Sequence, residues 1–245
     1  MRKSGPLREE EIVARDDGEM DRLGAELMAR AISAAVAERG AAAVALSGGS
    51  TPLGTYAALA SYDLPWDAVD FFWVDERAVP PDHERSNYAA ARRALAAAAI
   101  PEARLHRMEA EAPDLAGAAA RYEALLRRHF GVASAVAFDA MTLGIGDDGH
   151  TASLFPGTGA VSIADRLVAA IPAERTPGLE ARLTLTAPVI QEARLALMIV
   201  RGASKRGPLS VARSTGAEDE VPARIARGVK GQLVWLLDEA AVGEP

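Results

Sequence analysis

Residues 43–52 have the sequence AVALSGGSTP and contain the junction that decides the fold. The apolar residues 43–46 are short and unbroken, as is typical of a buried strand. The glycine-rich turn that follows leads to Pro52, which fits the first turn of a helix that we predict to end near Ala60. A strand joined to a helix by a short turn is the unit from which α/β sheets are built.

The same alternation of strands and helices extends outward from this junction. Apolar residues at three- and four-residue spacing predict an amphipathic helix over 19–39, before the stop residue Gly40. Further helices are predicted over 87–99 and 114–129, and after each of the strands 183–185 and 195–200. Other apolar runs predict strands over 69–74, 138–143, 167–171 and 233–237. Surface loops are predicted at 155–162, 172–181 and 216–220. This order predicts one α/β domain over 1–245, with a mostly parallel sheet and helices on both faces.

Composition excludes several classes of protein. The chain of 245 residues contains no cysteine, which excludes a disulfide scaffold, a thiolate metal site and a cysteine nucleophile. Its net charge of -7 argues against a broad surface for nucleic acid. The apolar stretches are far shorter than the ~20 residues of a membrane span, and no signal-peptide core follows the basic N-terminus. We therefore expect a cytoplasmic protein that is a monomer or a weak homo-oligomer and binds neither nucleic acid nor membrane.

The turn SGGSTP has the composition of an anion-binding loop. Glycines let backbone N–H groups approach an oxyanion, and hydroxyl groups add hydrogen-bond donors. Ser47, Gly48, Gly49 and Ser50 are therefore candidate phosphate contacts. The loop is not a nucleotide-binding P-loop, because Thr55 occupies the position of the lysine. A tight turn with a capping hydroxyl is the structural alternative.

A second loop, GIGDDGH at 144–150, combines a carboxylate with a histidine. Its three glycines match a dinucleotide-binding pattern, but Asp147 and Asp148 would repel a pyrophosphate. Gly149 would instead let the turn bring Asp148 against His150. A carboxylate that accepts one ring N–H leaves the other nitrogen as a general base, although such pairs are also common as structural elements.

Two more strand ends have charged residues. Asp75, Glu76 and Arg77 follow a predicted strand. Burying charged side chains at such a position costs free energy unless a partner or a ligand interacts with them. Arg77 could hold a phosphate or carboxylate, and Asp75 could bind sugar hydroxyls. Lys205 follows another strand and is either a phosphate contact or a solvated lysine.

We expect structural roles for the remaining histidines and for the Ser86-Asn87 pair. Ser86 and Asn87 are predicted to cap the following helix. His106 and His129 are expected at the surface or at helix ends. The His83-Glu84 pair resembles the start of a zinc motif, but no second histidine follows it at helical spacing, so we expect no metal site.

Taken together, these motifs resemble the 6-phosphogluconolactonase family. The resemblance covers about 45–210 and rests on motifs in matching order: LSGGSTP at 46–52, DER at 75–77 with SN at 86–87, GIGDDGHTASLFP at 144–156, RLTLT at 182–186 and GASK at 202–205. The wider group includes glucosamine-6-phosphate deaminases and ribose-5-phosphate isomerases. The resemblance implies a modified Rossmann-like sandwich without a dinucleotide.

Departures from the sister deaminases favour the lactonases. Deaminases typically continue after the histidine as I-A-F-N-E-P, with a catalytic glutamate where this chain has Phe155. They also favour a tyrosine-type residue at the position of Arg77, and the long 80–86 loop is similar to that of the lactonases.

A non-catalytic sugar-phosphate sensor is a further alternative. Such regulators carry a helix-turn-helix, for which 1–18 and 238–245 are too short.

The resemblance implies hydrolysis of 6-phospho-D-glucono-1,5-lactone in the oxidative pentose phosphate pathway, with no cofactor or metal. His150 would activate water, and Asp148 would orient the His150 side chain. The phosphate would lie among Gly48, Gly49, Ser50, Arg182 and Lys205, and Arg77 could serve either end of the substrate.

Overall fold

The fold is built on a seven-stranded sheet in which every pair of neighbouring strands is parallel. The computed structural model describes residues 8–131, 136–176 and 180–243. The strands are β1 (Arg8–Ala14), β2 (Ala42–Leu46), β3 (Val69–Trp73), β4 (Asp75–Arg77), β5 (Leu105–His106), β6 (Ala140–Leu143), β7 (Val168–Ile171), β8 (Arg182–Leu185), β9 (Leu195–Val200) and β10 (Gln232–Asp238). The α-helices are α1 (Asp17–Arg39), α2 (Leu53–Leu59), α3 (Asn87–Ala94), α4 (Leu115–Phe130), α5 (Ala187–Gln191), α6 (Arg206–Arg213) and α7 (Glu239–Val242).

Helices cover both faces of this sheet, as the sequence predicts. Every residue of β2, β3, β6 and β9 is buried. Because successive side chains of a strand point to opposite faces, complete burial requires a layer on each side. The predicted α/β class with a mostly parallel sheet is therefore confirmed.

The order of the strands places a crevice between β2 and β6. The sheet has the order β1-β10-β9-β6-β2-β3-β5. From β2 the chain proceeds outward through β3 to β5, then returns to β6 and proceeds in the other direction through β9 to β10. The loops that leave the carboxyl ends of β2 and β6 consequently diverge. Ligands of open α/β sheets bind at such a reversal of strand order.

A second, antiparallel sheet borders this crevice. It has the order β4-β8-β7, with Asp75 opposite Thr184 and Arg77 opposite Arg182. The sequence predicts β7 and β8 as strands but assigns residues 75–77 to a loop, and that assignment is wrong. Three consecutive charged residues carry no strand pattern, and the pairing depends on a partner more than a hundred residues away in the chain.

Both edges of the large sheet are formed by strands that the sequence analysis does not predict. The edge strand β1 contains three glutamates, which are unusual in strands but typical of an exposed edge. At the other edge, β5 has only two residues. His106 lies in β5, where it is half-buried beside Asp70, so its expected place at the surface or a helix end is wrong. His129 lies in the last turn of α4, as expected.

Most predicted helix boundaries agree with the structure to within two residues. Asp16, Ser86 and Asp114 cap α1, α3 and α4 through side-chain oxygens, and Gly40 ends α1 in a left-handed conformation. The helix predicted over 87–99 ends earlier, at Ala94. Residues 177–179 of the predicted loop 172–181 lie outside the described residues. None of the described helices is both long and apolar enough to span a membrane.

Candidate active site

A cleft of about 500 Å³ opens where the loops after β2 and β6 diverge. Strand β4 and the three loops at 47–52, 144–150 and 202–205 converge on it. Of the ten predicted site residues, nine line the cleft: Ser47, Gly48, Gly49, Ser50, Asp75, Arg77, His150, Arg182 and Lys205. The tenth, Asp148, contacts the His150 ring. The structure thus brings together residues that are far apart in the chain.

The Asp148–His150 pair forms as predicted within the loop after β6. His150 Nδ1 lies 2.6 Å from Asp148 Oδ1, and the His150 backbone N–H donates to the same oxygen at 3.0 Å. The two side chains are 31% and 40% exposed, respectively. With Nδ1 engaged by the carboxylate, Nε2 is the nitrogen left for chemistry in the cleft.

The loop requires glycine at position 146. A Cβ atom built on Gly146 would lie 2.0 Å from His150 Nδ1 and 2.7 Å from Asp148 Oδ1, closer than real Cβ contacts allow. The Gly146 N–H also donates to the His150 carbonyl at 2.9 Å. The absence of a side chain therefore lets the imidazole and the carboxylate pack against the backbone of their own turn.

The loop after β2 presents its backbone, rather than its first hydroxyl, to the cleft. The Ser47 N–H and hydroxyl donate to Thr142 Oγ1 at 2.9 and 3.2 Å, so this side chain is turned into the protein. Gly49 and Ser50 are exposed. No side chain caps the first N–H groups of α2, which follow this loop. The Leu53 N–H donates to the Ser50 carbonyl at 3.3 Å, so the N–H groups that suit an oxyanion are those of the exposed turn itself.

Asn87 is a cleft residue for which the sequence suggests only helix capping. Its side-chain N–H groups donate to the Asp75 carbonyl at 2.9 Å and to Asp75 Oδ1 at 3.1 Å. Its buried Oδ1 has no hydrogen-bond partner among the described residues. A Cβ atom built on Gly48 would lie 1.8 Å from this oxygen, so the Asn87 amide packs against the backbone of the loop after β2 and requires glycine there.

The carboxylate of Asp75 is buried and held on both sides. The Ser153 hydroxyl donates to Oδ2 at 2.6 Å, while Asn87 donates to Oδ1. The Arg182 guanidinium lies 4.0 Å from Oδ2. Asp75 thus connects β4, β8 and the loop after β6, and its predicted contact with a sugar hydroxyl would come in addition to these internal bonds.

Two guanidinium groups of the cleft each have a buried Nε donor that is not used. Neither Arg77 Nε nor Arg182 Nε has a hydrogen-bond partner in the described part of the chain. Arg182 is only 13% exposed, and burial lowers its pKa from the usual arginine value. Its guanidinium carbon lies 5.9 Å from the centre of the Phe155 ring. The nearest carboxylate, that of Asp75, lies 4.0 Å away and is also bonded to Ser153 and Asn87, so the Arg182 guanidinium keeps donors suited to an anionic ligand.

The cleft is locally basic although the chain is acidic. Four basic side chains line it, those of Arg77, Arg182, Arg201 and Lys205, against two carboxylates. One of these carboxylates, Asp147, accepts from Lys205 Nζ at 2.6 Å, and this bond lowers its pKa. The excess of positive charge attracts an anion, because the local field rather than the net charge of the chain acts on a ligand in the cleft.

Arg201 belongs to the cleft but is not found by the sequence analysis. It follows β9 directly and donates to Asp21 of α1 at 2.9 Å. Its place at the carboxyl end of a predicted strand is the signal that could have identified it. The cluster of histidine and carboxylate groups in the described residues that could hold a metal lies outside this cleft.

Glu76 holds the start of α3 against β4. Its buried carboxylate accepts from the backbone N–H groups of Arg77, Asn87 and Tyr88, each at 2.8 Å, and from the Ser86 hydroxyl at 2.9 Å. Burial raises the pKa of Glu76 in opposition to these bonds. Glu76 therefore fixes the positions of both of its cleft-lining neighbours, Arg77 and Asn87.

We expect Glu76→Ala to lower the free energy of unfolding by about 3 kcal/mol or more. The substitution leaves three backbone donors without their acceptor, and each buried unsatisfied group costs about 1–3 kcal/mol. Urea unfolding of the variant and of a matched control, Glu84→Ala at an exposed position, measures the difference. An equal midpoint for the two variants would contradict this role of Glu76.

Comparison with known proteins identifies relatives over most of the chain. The family model described as glucosamine-6-phosphate isomerases/6-phosphogluconolactonase matches residues 15–235. A 6-phosphogluconolactonase from Synechocystis sp. is 44% identical over 214 residues, covering 86% of this chain and 87% of the relative. The 6-phosphogluconolactonase from Nostoc sp. is 40% identical, covering 89% and 91%.

The structure of 6-phosphogluconolactonase from Trypanosoma brucei shares the architecture. It superposes with a TM-score of 0.83 at 29% sequence identity, covering 96% of this chain and 98% of that one. The family match over residues 15–235 includes every loop of the cleft. The chain therefore belongs to the glucosamine-6-phosphate isomerase/6-phosphogluconolactonase family.

Proposed function

We propose that the chain hydrolyses 6-phospho-D-glucono-1,5-lactone to 6-phosphogluconate, a step of the oxidative pentose phosphate pathway. The observation that carries the proposal is that an Asp–His pair and a set of anion-binding groups open onto one cleft. The relatives that bear the name 6-phosphogluconolactonase support the same substrate.

His150 acts as the general base in this mechanism. Its Nε2 takes a proton from water while the water oxygen attacks the lactone carbonyl carbon. The tetrahedral intermediate then collapses, the bond from the carbonyl carbon to the ring oxygen breaks, and the imidazolium returns its proton to that oxygen. Asp148 keeps the imidazole oriented and stabilises its charged form.

The remaining polar groups divide between the two ends of the substrate. The backbone of Gly48 and Gly49 with Arg182 and Lys205 supplies donors and positive charge for the phosphate. Arg77, with its unpaired Nε, can stabilise the oxyanion of the intermediate or join the phosphate site. A lactone is an activated ester, so positioning together with one base, which typically contributes ~10²–10⁴-fold, accounts for the reaction.

Phe155 argues against deaminase chemistry at this site. Its buried ring lies 4.7 Å from the His150 ring, centre to centre. Phenylalanine has no titratable group and cannot take part in the proton transfers of sugar ring opening. A sensor that only binds a sugar phosphate has no need of the Asp148–His150 pair.

An assay with two substrates tests the proposed function. We expect the purified chain to accelerate hydrolysis of the lactone that glucose-6-phosphate dehydrogenase generates in situ. We expect no release of ammonia from glucosamine 6-phosphate. Ammonia release without lactone hydrolysis would identify a deaminase, and binding of 6-phosphogluconate without turnover of either substrate would identify a sensor.

A further inference from the structure

Three metal-ligating side chains meet at the edge of the large sheet, outside the candidate active site. Asp70 lies in β3, His106 in the edge strand β5 and His129 in the last turn of α4. None of them lines the active-site cleft. Two of the four histidines of the chain are thus brought together by the fold with a buried carboxylate.

The geometry of this Asp70–His106–His129 cluster fits one ion. One potential ligand atom from each residue lies within 4.8 Å of the other two. Asp70 Oδ1 is 2.6 Å from His106 Nε2, and the two imidazole centres are 5.7 Å apart. Bonds of about 2.0–2.2 Å from a central ion to nitrogen and oxygen ligands span such separations with small side-chain movements.

Aromatic packing holds the two imidazoles in place. The His106 ring stacks on Phe72 with centres 4.6 Å apart. The His129 ring makes edge contacts with Phe72 and Phe130, each with centres 4.9 Å apart. These contacts reduce the conformational freedom that the histidines would lose on binding an ion, which favours a preorganised site.

The carboxylate of Asp70 is also oriented. Arg104 donates to Oδ2 at 2.8 Å, which leaves Oδ1 directed at His106. Carboxylates that bind a metal ion are usually held by a hydrogen bond of this kind. The guanidinium adds a positive charge nearby, whereas the carbonyl end of α4, where His129 lies, favours a cation. The nearby guanidinium argues for moderate affinity.

We propose that Asp70, His106 and His129 bind a divalent transition-metal ion of the zinc class. The two imidazoles and one carboxylate provide the nitrogen and oxygen ligands that Zn²⁺ accepts, and water completes the coordination. The ion replaces the proton between His106 Nε2 and Asp70 Oδ1. Bound there, it connects the edge strand β5 to β3 and α4. This site is independent of the proposed function.

The test is a titration of the full chain with Zn²⁺, followed by calorimetry, after the protein has been treated with a chelator. His150→Ala serves as the background, because the active-site histidine could itself bind zinc. We expect this protein to bind one equivalent of Zn²⁺ with a Kd in the micromolar range. Adding His129→Ala or His106→Gln should weaken that binding at least about 100-fold, more than the ~10–100-fold that loss of an outer partner costs. The matched control, His83→Ala in the same background, should bind zinc with unchanged affinity.

A second readout covers the possibility that a variant is destabilised. Zinc should raise the Tm of the His150→Ala protein and of the His83 control, and it should leave the Tm of the His129 variant unchanged. Absence of zinc binding to the His150→Ala protein would overturn the proposal. Retention of the same affinity and Tm shift after replacement of His129 and of His106 would overturn it equally.

Discussion

Replacing His150 with alanine is expected to lower kcat for the phosphorylated lactone by about 10²–10⁴-fold. This corresponds to about 3–5 kcal/mol of lost transition-state stabilisation. The physical reason is that no other imidazole lines the cleft in the described residues, so water must attack without a base. Turnover of lactone generated in situ, measured at saturating substrate, provides the test.

The matched control for this variant is His83→Ala. His83 lies in the loop before α3, where its Nδ1 accepts from the Arg85 backbone N–H at 3.1 Å, and it does not line the cleft. We expect both variants to keep the wild-type Tm within a few degrees, because His150 is partly exposed. Equal kcat values for the two variants would remove His150 from the mechanism.

Replacing Arg182 with alanine is expected to raise KM for the phosphorylated lactone by about 10–100-fold. A hydrogen bond to a charged group contributes about 1.5–3 kcal/mol, and each 1.4 kcal/mol changes affinity tenfold. KM for plain gluconolactone should change little, because that substrate carries no phosphate. The preference of the enzyme for the phosphorylated substrate is therefore the quantity to measure.

Two further variants separate the phosphate contact from a general loss of charge. Arg93→Ala removes an exposed arginine from α3 and should leave both KM values unchanged. Arg182→Lys keeps the charge but not the planar fork, so we expect an intermediate KM. If Arg182→Ala kept the wild-type preference for the phosphorylated lactone, its assignment to the phosphate would be wrong.

The convergence of the site loops could be predicted from the sequence because of sheet geometry. Parallel strands present their carboxyl ends at one edge, so the loops at 47–52, 144–150 and 202–205 had to meet there once the strands were recognised. The Asp148–His150 contact could also be predicted, because a contact between two residues separated by one glycine depends only on local turn geometry.

Contacts between distant segments could not be predicted in this way. Strand β4 depends on pairing with β8. The local sequence of Asp75, Glu76 and Arg77 has no pattern that predicts a strand. The Ser47 side chain points into the protein because of its bonds to Thr142, which lies 95 positions away in the chain. The orientation of the Asn87 amide depends on its bonds to Asp75, which lies 12 positions earlier in the chain and in another element.

The Asp70–His106–His129 cluster shows the same limit for metal sites. No second histidine follows His83 at helical spacing, and for that reason no metal site is expected from the sequence. The three side chains of the proposed site come from two strands and a helix end, and Asp70 precedes His106 by 36 positions. Spacing rules describe sites built on one local element and do not find sites assembled by tertiary packing.

A structure of the protein with bound 6-phosphogluconate tests the central claim most directly. The product combines the phosphate of the substrate with the carboxylate that hydrolysis creates. We predict its phosphate on the backbone of 48–50 with Arg182 and Lys205, and its carboxylate within hydrogen-bond distance of His150 Nε2. A product bound in the reverse orientation, or away from the His150 ring, would contradict the hydrolytic mechanism.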